Sequence, residues 1–352
     1  MTKIDQVLVH LSQGDAVGDE TLNIRNSLRL QGYDSDIYVQ ETVSNLTNEV
    51  NFIKESEPVN SDIILYHYTG VDNLYENIRR YNSKKVLIYH NVTPYEYFIG
   101  YDDYFCNLLK NSRDKLKSLN KEFDMIIADS EYNKYELESL GFSNIEVVPI
   151  LIDFSKYNLT SNIIPQNKGS KGKILFVGRV SPQKKIEELI MIFNYYNKNI
   201  NPDSQLIIVG DYNIPSYKSY KTVLERIINY NNIKNVFFTG KVSLETLIGY
   251  YKWADVFITM SAHEGFCVPL LESMYFKIPI IAKNVCAIPE TLSGAGILIN
   301  KIKYDEISEL IDICINDKLF RDKIIEEQNR RLKEFSKEII EKKLINTIKK
   351  IL

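Results

Sequence analysis

Four cysteines are all that 352 residues contain, at positions 106, 267, 286 and 314, and no two of them form a C-x-x-C pair. So wide a scatter offers neither a zinc spacing nor a disulfide framework, and reads as reduced thiols in a reducing compartment. Net charge is nearly absent as well: 43 Lys and Arg stand against 46 Asp and Glu, leaving −3. A general nucleic-acid binder would be basic, so that class is set aside. The chain enters a short strand directly after Met1–Gln6 and has no apolar run of membrane-spanning length, so neither a signal peptide nor a membrane span is expected. No short-period repeat is present. Neither half opens with the dinucleotide fingerprint G-x-G-x-x-G, which makes a dehydrogenase the least favoured enzyme class.

What is abundant is ordinary for a folded protein. Hydrophobic residues make up 44% and charged residues 25%, enough for sizeable cores, and the length favours two domains. The 24 tyrosines go with a general excess of Asn, Ile and Lys, and are read as compositional bias rather than as an aromatic binding surface.

Short apolar runs alternate with helical patterns throughout. Strands are expected at 7–10, 36–39, 63–67, 86–90, 125–129 and 145–149, with helices at 19–30 and 132–140. Residues 158–173 break this rhythm with turn-forming residues and are read as the domain linker. The alternation then restarts, with strands at 174–177, 205–209, 236–239, 255–259, 278–282 and 296–299. Helices are expected at 186–196, 217–230, 243–251, 269–276, 308–316 and over much of 320–352. Short strands alternating with helices predict an α/β chain with two doubly wound parallel-sheet halves.

Four stretches could carry chemistry. The first expected strand ends in Gly14-Asp15-Ala16-Val17-Gly18, where small residues let backbone N–H groups approach an anion at a helix start; a tight strand-to-helix turn uses the same residues. Val177-Gly178-Arg179-Val180-Ser181-Pro182-Gln183-Lys184 places two cations, five apart, after a strand; they could neutralise a diphosphate leaving group or be a solvated basic turn. Glu264 and Glu272 flank a glycine loop at another strand end, and Glu272 falls one turn into a helix begun near Pro269. The bland alternative is a helix-start carboxylate favoured by the macrodipole. His90-Asn91-Val92-Thr93-Pro94 follows a strand, where a histidine can bond a sugar hydroxyl or move a proton. All four histidines, His10, His67, His90 and His263, fall at expected strand ends, where ligands of open α/β sheets sit. Their spacing gives no zinc signature. The basic leucine-containing stretch 108–121 fits a solvated helix face better than a membrane surface.

Together these stretches resemble the retaining glycosyltransferases of family 4. Glu264-Gly265-Phe266-x-x-Pro269-Leu270-Leu271-Glu272 is similar to that family's E-x7-E motif, and Gly178-Arg179 with Lys184 to its donor-phosphate motif. The Gly14–Gly18 loop and Tyr89-His90-Asn91-Val92-Thr93-Pro94 look like members that build bacterial surface polysaccharides. The resemblance covers almost the whole chain and is more specific in the second half. It departs from the family at Cys267, where a glycine is common.

The resemblance implies a GT-B fold, two Rossmann-like domains facing a central cleft: residues 1–160 on the acceptor side, 161–335 binding the nucleotide-sugar, and 336–352 a helix packing back on the first domain. It implies transfer of a hexose from a UDP- or GDP-sugar to a hydroxyl of a glycan, lipid-linked sugar or glycoprotein acceptor, with no metal and no cofactor. Arg179 and Lys184 are implied to hold the donor diphosphate, Glu264 the donor sugar and Glu272 the ribose. His90 is implied to lie near the reactive face of the sugar. With His90, Arg179, Lys184 and Glu264 as catalytic residues, the donor-binding set is Gly14, Asp15, Ala16, Gly178, Gly210, Val242, Gly265, Phe266, Cys267, Val268 and Glu272. A front-side displacement follows, in which the leaving phosphate helps deprotonate the acceptor. The expected location is the cytoplasm, at the inner face of the membrane if the contact there is peripheral. The rival readings are a nucleotide-sugar epimerase or a phosphorylase on the same fold, and a non-catalytic partner subunit.

Overall fold

The computed structural model describes residues 2–53, 60–70, 74–159 and 172–352. Most of the expected linker, 160–171, lies outside the described residues. The described chain forms two compact units, each built on its own parallel sheet.

The first unit comprises residues 1–94, 107–153 and 335–352. It begins β1 (Ile4–Leu11), α1 (Ala16–Leu30), β2 (Ile37–Thr42), β3 (Asn51–Phe52), β4 (Ile63–Tyr68), α2 (Leu74–Ile78) and β5 (Lys84–Tyr89). Then come α3 (Asp103–Ser118), whose first turn belongs to the second unit, β6 (Met125–Ala128), α4 (Glu131–Ser139) and β7 (Ile145–Val147). The strand order is β3-β2-β1-β4-β5-β6-β7, with every pair parallel. All six residues of β4 and all four of β6 are buried, which is why they read as unbroken apolar runs instead of alternating ones.

The second unit comprises residues 95–106 and 154–334. It runs through β8 (Lys173–Val177), α5 (Ile186–Asn199), β9 (Gln205–Val209), α6 (Pro215–Tyr230), β10 (Val236–Gly240), α7 (Leu244–Trp253) and β11 (Val256–Thr259). It continues with α8 (Val268–Tyr275), β12 (Ile280–Lys283), α9 (Ile288–Leu292), β13 (Ile297–Ile299), α10 (Tyr304–Asn316) and α11 (Lys318–Lys333). Its sheet is also wholly parallel, in the order β10-β9-β8-β11-β12-β13. Phe176, Ile186, Ile190, Phe193, Leu206, Ile208 and Ile258 belong to one buried cluster that packs α5 on this sheet.

The last helix, α12 (Lys337–Lys349), belongs to the first unit. Ile340, Leu344, Ile345 and Ile348 form its buried stripe. Glu341 accepts a 2.5 Å hydrogen bond from Ser27 of α1, and Lys337 pairs with Asp153 at 2.8 Å.

Both sheets reverse winding direction once. The switch falls between β1 and β4 in the first unit and between β8 and β11 in the second. In open α/β sheets the crevice outside the strand ends at such a switch is where ligands bind. Gly14–Gly18 follows β1, and His67 is the penultimate residue of β4. Gly178–Lys184 follows β8, and Glu264 follows β11.

Candidate functional site

In the second unit the backbone turns sharply as it leaves β8. Gly178 N–H donates to Val209 O at 2.9 Å, and Gly210 N–H to Gly240 O at 3.1 Å, so the ends of β8, β9 and β10 are laced together. Gly210 has φ +157°, and a Cβ there would sit 1.8 Å from Gly178 O, so only glycine fits this crossing. A Cβ on Gly178 would come 3.8 Å from Lys184 Cε. The short turn Pro182–Lys184 carries that lysine and ends in Lys185 at φ 49°.

Lys184 Nζ donates to Glu264 Oε1 at 2.6 Å, and both side chains are largely buried. Glu264 stands in the loop after β11, where its own carbonyl accepts from Ala287 N–H at 3.3 Å and Ala262 N–H donates to Gln183 O at 2.8 Å. The turns after β8 and β11 are therefore joined by a backbone bond as well as by an ion pair. Arg179 is exposed next to Gly178.

The loop after β11 enters α8 through Cys267, which takes a left-handed conformation at φ 76° as N-cap, with Val268 and Pro269 opening the helix. Burial, then the negative charge of Glu264, pushes the Cys267 thiol well above its usual range, so it stays protonated. Phe266 is buried and its carbonyl accepts from Thr291 Oγ1 at 3.0 Å. Gly265 and Val268 are partly exposed. Glu272 lies one turn into α8, buried, with Oε1 accepting from Tyr157 OH at 2.5 Å and Oε2 from Tyr251 OH at 2.6 Å. Burial and Glu272 together hold the Tyr251 hydroxyl in its protonated, donating form. Each Glu272 oxygen keeps a lone pair for a further donor. Val242 is partly buried between β10 and the N-cap Ser243 of α7. His263 is buried, with Nδ1 3.8 Å from Cys286 Sγ and its ring tilted against Tyr97.

In the first unit Gly14 has φ +79° and its N–H already donates to Asp19 Oδ1 at 2.9 Å. Asp15 is the N-cap of α1 without a side-chain cap bond, and Ala16 is the first helical residue. Gly18 is required by close approach, because a Cβ there would sit 1.9 Å from Ser12 O.

Behind this turn lies a buried polar chain. Gln6 Nε2 donates to Thr21 O at 2.9 Å, and its Oε1 meets His67 Nε2 at 2.9 Å. His67 Nδ1 meets His90 Nε2 at 2.8 Å, and His90 Nδ1 meets Asp129 Oδ2 at 3.1 Å. Glu20 Oε2 lies 3.6 Å from the same His90 nitrogen, while its Oε1 accepts from Leu151 N–H at 3.2 Å. Burial lowers the pKa of His90, but Asp129 first and Glu20 after it outweigh that and raise it to about 9. Burial, then His90, drives His67 well below its ordinary value. Burial, then Asp129, pushes Glu20 upward. Glu20, His90 and Asp129 each bring one ligand-type atom within 4.8 Å of the others. The His90 nitrogen that a cation would need faces the Asp129 carboxylate at hydrogen-bond distance.

Of the residues singled out from the sequence, Gly178, Gly210, Lys184 and Glu264 come together around one crossing, with Cys267 electrostatically coupled to Glu264 and Lys184. Gly14, Asp15 and Ala16 share the turn after β1, and His90 sits behind it with Asp15 contributing to its charge environment. The four histidines share strand-end positions but not surroundings: His10 is exposed, His67 and His263 are buried, and the His90 ring is buried under a partly exposed backbone. Gln6, Glu20 and Asp129, and the tyrosines that hold Glu272, carried no spacing signal; they lie in separate parts of the chain and meet only in the fold. The basic stretch 108–121 buries Leu109, Leu116 and Leu119, and Arg113 is tied to Glu136 and Val92 O. Its apolar face is thus spent on the protein core. Among the described residues, no helix is long and apolar enough to cross a membrane.

Residues 161–331 match the family model described as glycosyl transferases group 1. The O-antigen chain mannosyltransferase B of Escherichia coli is 26% identical over 250 residues, which are 66% of this chain and 63% of that protein. The chain thus spans less than two thirds of that relative's length. Among solved structures, the sucrose-phosphate synthase of Thermosynechococcus elongatus aligns over 100% of this chain and 99% of its own at TM-score 0.76 and 17% identity. Anabaena HepE in complex with UDP and glucose aligns over 99% and 100% at TM-score 0.76 and 15% identity. The likeness establishes the expected GT-B fold, two parallel-sheet α/β units of seven and six strands.

Proposed function

We propose, from the match of residues 161–331 to the glycosyl transferases of group 1, that the chain moves a hexose from a nucleotide-diphosphate sugar to a hydroxyl of a glycan or glycolipid during surface-polysaccharide synthesis. The observation that carries the reading is the buried Lys184–Glu264 pair at the β8/β11 switch point, beside a crossing that tolerates only glycine. A cation held there by a carboxylate is pre-oriented, and a diphosphate entering the turn would take its charge without ordering a new side chain. Arg179, exposed on the same turn, supplies the second positive group. The carboxylate that Lys184 leaves would then be available to the hydroxyls of the donor sugar, and Glu272, oriented by two tyrosines, to the ribose.

The bond that breaks joins the anomeric carbon to the diphosphate, and the departing charge builds on phosphate oxygens. Lys184 and Arg179 stabilise that charge, the task a metal performs in other transferases, so the proposed reaction is metal-independent. Retention follows from front-side attack, with the leaving phosphate taking the acceptor proton. His90 is the first unit's candidate for the reaction. The mannosyltransferase relative supports a hexosyl group, and the UDP and glucose held by the solved neighbour support a nucleotide-diphosphate donor.

A thermal-shift series with UDP-, GDP- and ADP-sugars, followed by product analysis with the donor that shifts, tests the reading. A bound donor raises the melting temperature by mass action. Lys184→Ala and Arg179→Ala are each expected to lower turnover at least about a hundredfold, the scale of one lost transition-state donor, and excess EDTA should leave turnover unchanged. No shift with any nucleotide sugar, or full activity in both variants, overturns it. Interconversion of free nucleotide sugars without an acceptor would replace it with an epimerase.

A further inference from the structure

With Asp129 ionised, the buried chain behind the first unit's glycine turn has one consistent arrangement of protons. Thr21 offers Gln6 a carbonyl, which can only accept, so the Gln6 amide nitrogen must face it and Gln6 Oε1 must face His67. His67 Nε2 therefore carries a hydrogen. At the other end, His90 Nδ1 faces the Asp129 carboxylate at 3.1 Å and so carries a hydrogen too. Between the rings, 2.8 Å apart, one further hydrogen is shared. The rings lie within 5° of parallel with centroids 5.1 Å apart, the separation of two imidazoles meeting edge to edge through an N–H···N bond. Three hydrogens on two imidazoles make one positive charge.

Which ring holds it follows from the neighbours. His67 faces only the neutral amide of Gln6 and the other ring. His90 faces Asp129 from the end of β6 and Glu20 from α1, with Asp15 of the α1 N-cap adding a weaker attraction. The charge belongs on His90. Its Nε2–H then needs an acceptor, and His67 Nδ1, fixed by Gln6 in the correct tautomer, is that acceptor.

We infer that His67 is a positioning residue whose tautomer, set by Gln6, keeps His90 a permanent imidazolium, so that His90 serves as a fixed cation behind the glycine turn and not as a base. The ionisation is a property of the free protein; the consequence for transfer rests on the proposed function. The two are separable, because the charge can be read without any substrate.

The experiment is imidazole nitrogen–proton correlation spectroscopy of the full-length protein between pH 6 and 8, assigned with the four histidine variants. His90 is expected to show two protonated nitrogens throughout, and His67 one protonated Nε2 and one bare Nδ1. In His67→Leu, Nε2–H of His90 loses its acceptor, and the His90 pKa should fall by at least one unit. In His67→Asn, whose side-chain oxygen stands near the place of Nδ1, the imidazolium should persist. Gln6→Leu should release the tautomer of His67. Should His67→Leu fail to fold, the wild-type spectrum and His67→Asn still decide. A neutral His90 at pH 7 in the wild type, or a His90 pKa unmoved by His67→Leu, overturns the inference. So does a melting temperature raised by added Zn²⁺ or Mn²⁺ with loss of the His90 proton signals, which would put a cation where the proton is placed. With the identified donor, His67→Leu should lose kcat progressively as pH rises through the lowered pKa while KM for the donor holds, and His67→Asn should restore the flat profile. A confirmed imidazolium with no transferase activity in the wild type would instead leave the charge standing and remove the proposed function.

Discussion

A single added methyl group tests both glycine turns, because each has backbone where a Cβ would go. In Gly210→Ala the new carbon would lie 1.8 Å from Gly178 O, and in Gly18→Ala 1.9 Å from Ser12 O. Neither obstacle is a flexible side-chain end, so the ends of β8 and β9 must part in the first variant, and the start of α1 must move off the end of β1 in the second. Both variants are expected to lose at least about 2 kcal/mol, the range for overpacking against fixed neighbours, measured as a lowered midpoint in urea. Gly14→Ala is the contrast: nothing lies within 4 Å of its added carbon, and the strain is that of φ +79° alone, about 1 kcal/mol. An equal loss in all three would refute the close-approach account. At this scale the sequence was informative wherever one residue signals its own geometry. Gly178 and Lys184 could be picked out because a glycine after a strand and a cation on a turn are local patterns. His67 could be marked as a strand-end histidine, but its partner Gln6 lies 61 residues away, and an amide that sets a tautomer looks like any other glutamine. Tyr157 and Tyr251 escaped notice for the same reason, since Glu272 gathers them from 115 and 21 residues off.

Elements were more legible than contacts. Thirteen parallel-sheet strands form among the described residues, and twelve of them overlap the apolar runs expected from sequence; a strand buried on both faces advertises itself by unbroken hydrophobicity. The exception is β3, only Asn51–Phe52 and exposed at the sheet edge, too short and too wet to leave a pattern. Periodicity reads much of 320–352 as helical without marking a break, and two helices form there, α11 and α12. Phe335, which falls between them in the sequence, is buried, and Ser336 starts α12, its hydroxyl accepting from Ile339 N–H. Periodicity passed over that break because both helices are rich in Lys and Glu. What ties α12 to the first unit is its buried stripe, not its ion pairs. Leu344→Ala is expected to cost about 2–4 kcal/mol, the usual range for emptying a buried leucine site. Lys350→Ala, which removes a half-exposed pair with Glu146, should stay within about 0.5 kcal/mol. Urea midpoints of the two variants check the ranking, and a larger effect for Lys350 would reverse the account.

For the molecule as a whole, the two units hold different kinds of charge, and pH should separate them. His90 and Glu20, both in the first unit, have folded-state pKa values raised above their ordinary ones. For each, the folded state binds its proton more tightly than the unfolded chain does. Linkage then fixes the sign: their contribution to stability is complete below the unfolded pKa and is lost as pH rises through the folded one. For His90 that window runs from about 6.5 to about 9. In the second unit the groups raised are thiols, tyrosines and Lys303, whose ordinary values lie at 9 and above. Between pH 6.5 and pH 8.5, therefore, the first unit should weaken while the second does not. Hydrogen exchange, corrected for the intrinsic rate at each pH, is expected to show protection falling in β1, β4, β5, β6 and α1 and holding in β8, β9 and β11. Asp129→Asn removes the main partner of the imidazolium and should reproduce the high-pH pattern of the first unit already at pH 6.5. A nucleotide-diphosphate donor should act in the opposite sense and in the other place, raising protection around 178–184 and 260–272. Equal loss across both sheets on raising pH, or a first unit indifferent to Asp129→Asn, would mean that the buried histidine pair does not carry the charge assigned to it.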